Sequence, residues 1–418
     1  MSAVPSPGGD GGAGTSGRPA PEATGTQAPQ GPQTRMLALA TLGFLLNFWA
    51  WSLIGPLGNL YGEALGLTAF QVSVAVAVPV IVGSLGRIPI GALTDRFGAR
   101  VMFPAVSVAT IVPTLFVGLV ANSFPMLLLG GFFLGLGGTA FAVGVPFVNA
   151  WFAPQRRGTA LGIFGMGTAG TAVSAFTTVH IVDAFGRPAP FVLVAVLLAA
   201  YAALARAALR DAAGRQAPAG SLAARTLATL KIPATGQLSL IYAMGFGGFV
   251  AFSVYLPTYL INAYDLTRGD AALRTAGFVV LAVVARPVGG WLSDRWHPIP
   301  VLTVCFVVAG AAAALAAAEL QLLPAGTVAF LVLAATLGAA SGACFALVSK
   351  VAPADKVGSV TGIVGAAGGL GGFFPPLVMG LVYGRTGDYS LGLVLLAIAA
   401  LGTAAFTWWP VRRAARAA

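Results

Sequence analysis

The chain has 418 residues, 57% of them apolar and only 8% charged, with a mean hydropathy of +0.88. That composition excludes an ordinary soluble domain and points to a polytopic membrane protein. A net charge of +11 would suit nucleic acid if it were concentrated, but the basic residues stand singly or in pairs between long apolar runs. That is the pattern of membrane topology, and no nucleic-acid partner is expected.

Residues 1 to about 33 contain 8 Gly and 6 Pro and almost no large apolar side chains, so residues 1–35 are expected to be a disordered tail. This tail has no apolar stretch of the kind a cleaved signal needs, and the first membrane helix is expected to serve as the insertion signal. Spans of about 20 apolar residues are needed to cross the hydrocarbon layer. Twelve are predicted, at roughly 36–58, 68–91, 100–121, 124–150, 159–182, 189–209, 238–263, 272–293, 301–320, 325–349, 357–383 and 390–409. The expected fold is therefore all-α, with an N-terminal six-helix half (36–209), a basic Ala/Gly/Pro-rich linker (210–236), a C-terminal half (237–410) and a short tail (411–418).

Orientation follows from Lys and Arg. With the N-terminus inside, 17 basic residues fall on the cytoplasmic side and 4 outside (Arg187, Arg268, Arg274 and Arg385). Both termini are thus expected to be cytoplasmic, in a multi-pass protein of the cytoplasmic membrane. The two remaining cations, Arg87 and Arg286, lie inside spans.

These two arginines organise the chain. SLGRIPIGALTDR (Ser84 to Arg96) places Arg87 eight positions before Asp95, and ARPVGGWLSDR (Ala285 to Arg295) places Arg286 eight positions before Asp294. At 1.5 Å rise per residue each arginine sits about 12 Å into the membrane from its loop aspartate, too deep to snorkel easily. A second repeat supports duplication: Gly158, Gly162, Ile163 and Gly165 match Gly358, Gly362, Ile363 and Gly365 at an offset of 200. Two parallel six-helix repeats imply a transporter with its site between the halves.

All twelve acidic residues fall in tails, loops or near helix ends, so no carboxylate is available at the midplane. A lone charge there costs about 3 kcal/mol on insertion scales and on the order of 10 or more in simulations. Two buried guanidinium groups without internal counter-ions therefore call for an external anion, and their planar forks suit small flat oxyanions. The competing reading leaves the arginines bonded to backbone carbonyls. No metal-ligand cluster, nucleophile-base set or phosphate loop points to an enzyme. Cys305 and Cys344 read as small packing residues, and no cofactor or metal is expected.

GRIPIGALTDRFGAR resembles the loop signature of the major facilitator superfamily, with a weaker copy at Asp294 and Arg295. Together with the glycine-rich fifth and eleventh spans, the buried arginines resemble its nitrate/nitrite porter family. That resemblance implies a twelve-helix fold in two pseudo-symmetric halves and secondary transport of nitrate and nitrite by alternating access, as exchange or proton-coupled uptake. It also implies a substrate site formed by Arg87, Arg286 and the glycines Gly165, Gly167, Gly365 and Gly368. Tyr242 and Phe246, one turn apart, and the opposing Phe141 would line that site. Thr168 stands where the family usually carries Asn, offering one donor in place of two. Asp95, Arg96, Asp294 and Arg295 would form the cytoplasmic gate. The alternatives are a facilitator for organic anions or drugs, or an anion channel or sensor. The expected partners are a small inorganic anion and the lipid bilayer, with the protein acting as a monomer. His180, near the outer end of the fifth span, reads as an interfacial structural histidine, yet it is the one candidate proton carrier in a span; His297 lies in a loop.

Overall fold

The computed structural model describes residues 30–212, 222–353 and 356–413. The expected tail up to residue 29, part of the linker (213–221, with Arg215), residues 354–355 and residues 414–418 lie outside the described residues. No strand occurs among the described residues, and ten helices there are long and apolar enough to cross a membrane.

In the first half the helices are α1 (Gln30–Trp51), α2 (Gly58–Leu65), α3 (Ala69–Leu85), α4 (Arg87–Phe97), α5 (Ala99–Leu119), α6 (Phe124–Leu134), α7 (Ala140–Trp151), α8 (Arg157–Gly165), α9 (Ala169–Phe185) and α10 (Ala189–Ala208). A short helix α11 (Leu222–Leu230) follows. The second half holds α12 (Pro233–Tyr264), α13 (Arg268–Trp296), α14 (Pro298–Ala317), α15 (Thr327–Val351), α16 (Val357–Gly371), α17 (Phe374–Thr386) and α18 (Ser390–Phe406). The first helix starts at Gln30, inside the stretch expected as tail. The linker is partly helical through α11.

Several expected spans appear as two helices, and the breaks have sequence causes. The second span divides at Gly86 into α3 and α4, so that Arg87 opens a new helix. The fourth carries a 3₁₀ segment over Gly135–Thr139 between α6 and α7, where GLGGT places three glycines in five residues and weakens helix propensity. The fifth is interrupted by a 3₁₀ turn at Met166–Thr168 between α8 and α9, and the eleventh divides between α16 and α17, where Pro375 follows Phe374. Three of these breaks lie at the depth of the arginines. They free backbone groups from the regular ladder in the interior, where such groups have to find other partners.

Packing across the halves depends on small residues. A Cβ added at Gly162 would lie 2.6 Å from the Arg286 carbonyl oxygen and from Pro287 Cα, and one at Gly362 would lie 3.1 Å from the Arg87 carbonyl carbon. α8 therefore presses backbone to backbone on α13, and α16 does the same on α4, in an approach closed to any larger residue.

Candidate functional site

The site is built from elements of both halves. Arg87 at the start of α4 is 1% exposed and Arg286 in α13 is 2% exposed, which rules out snorkelling to lipid. Each reaches into the opposite half. Arg87 Nη1 donates to the Gly365 carbonyl of α16 at 2.7 Å, and its Nε donates to the Gly138 carbonyl at 3.1 Å. Arg286 Nη1 donates to the Gly165 carbonyl at the end of α8 at 3.2 Å, whereas its Nε and Nη2 have no hydrogen-bond partner. Part of the guanidinium capacity is thus met by backbone carbonyls, as the competing reading held, but two buried donors of Arg286 are left open. No Asp or Glu is among the buried polar residues, and none of these bonds goes to a carboxylate.

The glycines make this reach possible. A Cβ at Gly165 would stand 3.3 Å from Arg286 Cδ, and one at Gly365 would stand 3.1 Å from Arg87 Cδ, so a side chain at either position would crowd the arginine that reaches past it. Gly368 lies against the rings of Tyr242 and Phe246. Gly167 instead packs on Phe44, away from both arginines. The Thr168 hydroxyl donates to the Gly165 carbonyl at 2.9 Å, so it shares an acceptor with Arg286 and its one hydrogen is already used.

Aromatic rings enclose the cations. The Arg87 and Arg286 guanidinium carbons lie 5.6 and 5.1 Å from the centroid of the same ring, Phe246. Arg87 also faces Phe141 at 5.4 Å and Phe48 at 6.0 Å, and Arg286 faces Phe249 at 5.4 Å. Tyr242 stacks on Phe246 with centroids 5.0 Å apart and on Phe141 at 6.1 Å. Cation-π contact offsets part of the desolvation cost. The Tyr242 hydroxyl is near enough to Arg286 to interact with its charge, yet no hydrogen bond of good geometry forms and the buried oxygen is unpartnered. Two cations, open N–H groups and an unpartnered hydroxyl thus converge in one buried, ring-walled layer.

Sequence reasoning missed Phe48, Phe249, Phe345 and the Gly138 carbonyl. Phe345 meets Phe141 edge-on at 4.7 Å and Tyr242 at 4.6 Å. It lies one helical turn from the position matching Phe141 at an offset of 200, and Phe249 is three residues beyond Phe246 on the same face. The internal repeat and helical periodicity held those two signals; the carbonyl contacts had none.

At one end of the molecule each aspartate, in the last turn of its own helix, caps a helix of the opposite half. Asp95 accepts from the Gly358 and Ser359 amides, both at 2.9 Å, and from the Ser359 hydroxyl at 2.7 Å. Asp294 accepts from the Gly158 amide at 2.8 Å, the Thr159 amide at 2.6 Å and the Thr159 hydroxyl at 2.7 Å. A carboxylate on a helix N-terminus satisfies orphan amides and complements the helix dipole, contributing about 1 kcal/mol each. Arg96 and Arg295 are exposed and lie over their own neighbours Phe97 and Trp291. Nearby His297 accepts from the Ile299 amide at 3.4 Å, and burial, with Lys350 adding to it, pushes its imidazole below the usual histidine range.

Towards the other end a cavity of about 650 Å³ opens between α1, α3, α9, α12 and α13, with Phe246, Phe249 and Thr168 at its depth and His180 along its wall. The protein is therefore latched at the aspartate end and open at the opposite one.

The Major Facilitator Superfamily model matches residues 40–376. The chain is 49% identical over 380 residues to a protein named probable nitrate/nitrite transporter NarK2 from Mycobacterium tuberculosis (strain CDC 1551 / Oshkosh), covering 90% of this chain and 96% of that protein. It is 36% identical over 376 residues to the nitrite extrusion protein of Bacillus subtilis (strain 168), covering 89% and 93%. It is also 37% identical over 365 residues to the probable nitrate transporter NarT of Staphylococcus haemolyticus (strain JCSC1435), covering 87% and 93%. Among solved structures, the transporter FucP in its outward conformation superposes with a TM-score of 0.72 at 18% identity, covering 90% of this chain and 99% of that one. With the duplicated arginine layer, the crossed aspartate caps and a family match over most of its length, this chain belongs to the Major Facilitator Superfamily and is a multi-pass membrane transporter, not an enzyme.

Proposed function

We propose that the protein carries nitrate and nitrite across the cytoplasmic membrane by alternating access, as a monomer with both termini in the cytoplasm. The observation that carries this reading is the pair of buried guanidinium groups sharing the Phe246 ring, with no carboxylate partner and with two Arg286 donors open. A small flat anion supplies the missing charge and accepts from those donors, and the rings around it exclude water and strengthen each contact. The names of the relatives, all nitrate or nitrite carriers, support the choice of anion.

In this reading Asp95 and Asp294 hold the cytoplasmic side shut and the described cavity faces outward. Anion entering past Phe246 ties α4 and α13 to the opposing helices α16 and α8. Rocking the halves then breaks both aspartate caps. The empty site holds two like charges with nothing between them and resists reorientation, whereas an anion eases it, so exchange of nitrate for nitrite is the natural mode.

The test is counterflow in proteoliposomes. Nitrate outside is expected to accelerate nitrite exit, each anion competing with the other, while a bulky organic acid leaves both rates unchanged. Saturable trans-stimulation distinguishes this carrier from a channel. Equal displacement by the organic acid overturns the assignment of substrate.

A further inference from the structure

The outer cavity contains hydroxyl and indole groups, but every one of their hydrogens is already committed. The Trp51 indole donates to the Pro79 carbonyl, and Ser52 donates to Phe48 and Trp49. Thr168 donates to Gly165, Thr171 to Thr168, Ser253 to Phe249 and Thr275 to Ala271. The hydroxyls show an incoming solute only oxygen lone pairs, which an anion avoids, and the indole has no further hydrogen to give. The described lining holds no Asp, Glu, Lys or Arg.

His180 is the exception. Its Nδ1 lies 2.7 Å from the Phe176 carbonyl oxygen. A carbonyl can only accept, so Nδ1 carries the hydrogen and the neutral ring turns the Nε2 lone pair outward. Protonation converts that lone pair into an N–H donor and adds a charge. The ring is exposed and on the cavity wall, between the opening and the Phe246 floor that fronts the arginines.

We propose that protonated His180 is a loading station for the incoming oxyanion, making entry from the outer side proton-linked. This rests on the nitrate/nitrite reading above. The proton creates the one uncommitted side-chain donor in the described wall. The anion in turn offsets the repulsion that the two buried arginines exert on a further positive charge. Each therefore raises the affinity for the other by the same factor. Charged residues stand in the outer turns of α9 and of the segments around it. Asp183 stands one turn further along α9, and Asp270, hydrogen-bonded to Thr267, and Arg274 lie in the outer turns of α13. Arg187, before α10, lies over the Tyr61 ring. No charged residue of α1, α3 or α12 lines the cavity. The imidazole is thus the one ionisable side chain of the described wall.

The experiment measures initial nitrate uptake into vesicles of known orientation, with outer pH varied from about 5.5 to about 8 across the imidazole range and inner pH fixed. Wild-type KM is expected to rise with outer pH, approaching about tenfold per pH unit at the alkaline end, the limit for one proton taken with one anion. His180→Gln is expected to give a high KM that no longer follows pH, with kcat retained. His180→Lys, a fixed cation, is expected to give a low KM, also independent of pH. A His180→Gln protein that keeps the wild-type pH slope overturns the proposal while leaving the transport reading intact. Wild-type protein that moves neither anion overturns both.

Discussion

The two halves of the molecule agree closely at the aspartate end and disagree at the arginine layer. Asp95 on α16 and Asp294 on α8 make the same three hydrogen bonds, each to two amides and one hydroxyl, with lengths between 2.6 and 2.9 Å. The arginines do not match. Arg87 is held by two carbonyls, whereas Arg286 has one longer bond and two open donors. The cause is local. Gly138 belongs to the 3₁₀ segment Gly135–Thr139, which leaves its carbonyl free to receive Arg87 Nε, while the corresponding stretch around Gly338 runs through unbroken α15 with its carbonyls in the ladder. On the proposed reading, symmetry is kept where the two halves latch alike and is lost where a single anion has to be gripped. One arginine is then a fixed anchor and the other a half-free fork.

The comparison can be broken in order of expected effect. Arg286→Lys keeps charge but loses the fork that carries the open donors, and kcat/KM for nitrate is expected to fall about 100-fold or more. Arg87→Lys, which keeps the charge of the already occupied anchor, should lose less in counterflow measurements. An equal loss for the two variants denies the division of labour. Gly162→Ala pushes a Cβ into the Arg286 carbonyl and Pro287, costing the latched state about 1–3 kcal/mol. Its signature is greater reactivity of cysteines introduced on the aspartate side towards a membrane-impermeant thiol reagent. Asp95→Asn and Asp294→Asn each remove a charge from a helix N-terminus and are expected to cost about 1 kcal/mol, roughly fivefold in the latch equilibrium. By the same labelling assay each is expected to raise reactivity on the aspartate side, and no change for either variant sinks the claim that the caps latch the halves. The smallest change is Thr168→Val, which frees the Gly165 carbonyl for Arg286. It is expected to shift nitrate KM by two- to fivefold, in line with one neutral hydrogen bond of about 1 kcal/mol. An unchanged KM in the same vesicles rules out a role for the shared carbonyl.

Much of this was legible beforehand, for reasons that can be named. Charge at Arg87 and Arg286 inside apolar runs is readable because lipid makes it so costly, and duplication is readable because both copies keep their spacing to an aspartate. Tyr242, Phe246 and Phe141 stack on one another beside the arginines. The resemblance also placed Gly167 and Thr168 at the anion, but Gly167 packs on Phe44 and Thr168 has already given its hydrogen to Gly165. Arg96 and Arg295 were expected in the gate, yet they lie over Phe97 and Trp291 while the aspartates make the bonds between halves.

The order of residues by itself determined that the chain lives in a bilayer as helices, that it is built twice over and that two cations lie buried without carboxylates. Hydropathy, glycine spacing and charge are properties of single residues and short repeats, so they survive without coordinates. Only the tertiary structure decided which carbonyl each arginine reaches, that each reaches across to the other half, and that the two halves differ in how much of the guanidinium remains free. Those outcomes depend on where helices break and on which backbone groups the breaks leave unpaired hundreds of residues away, and a linear pattern carries no record of such distances.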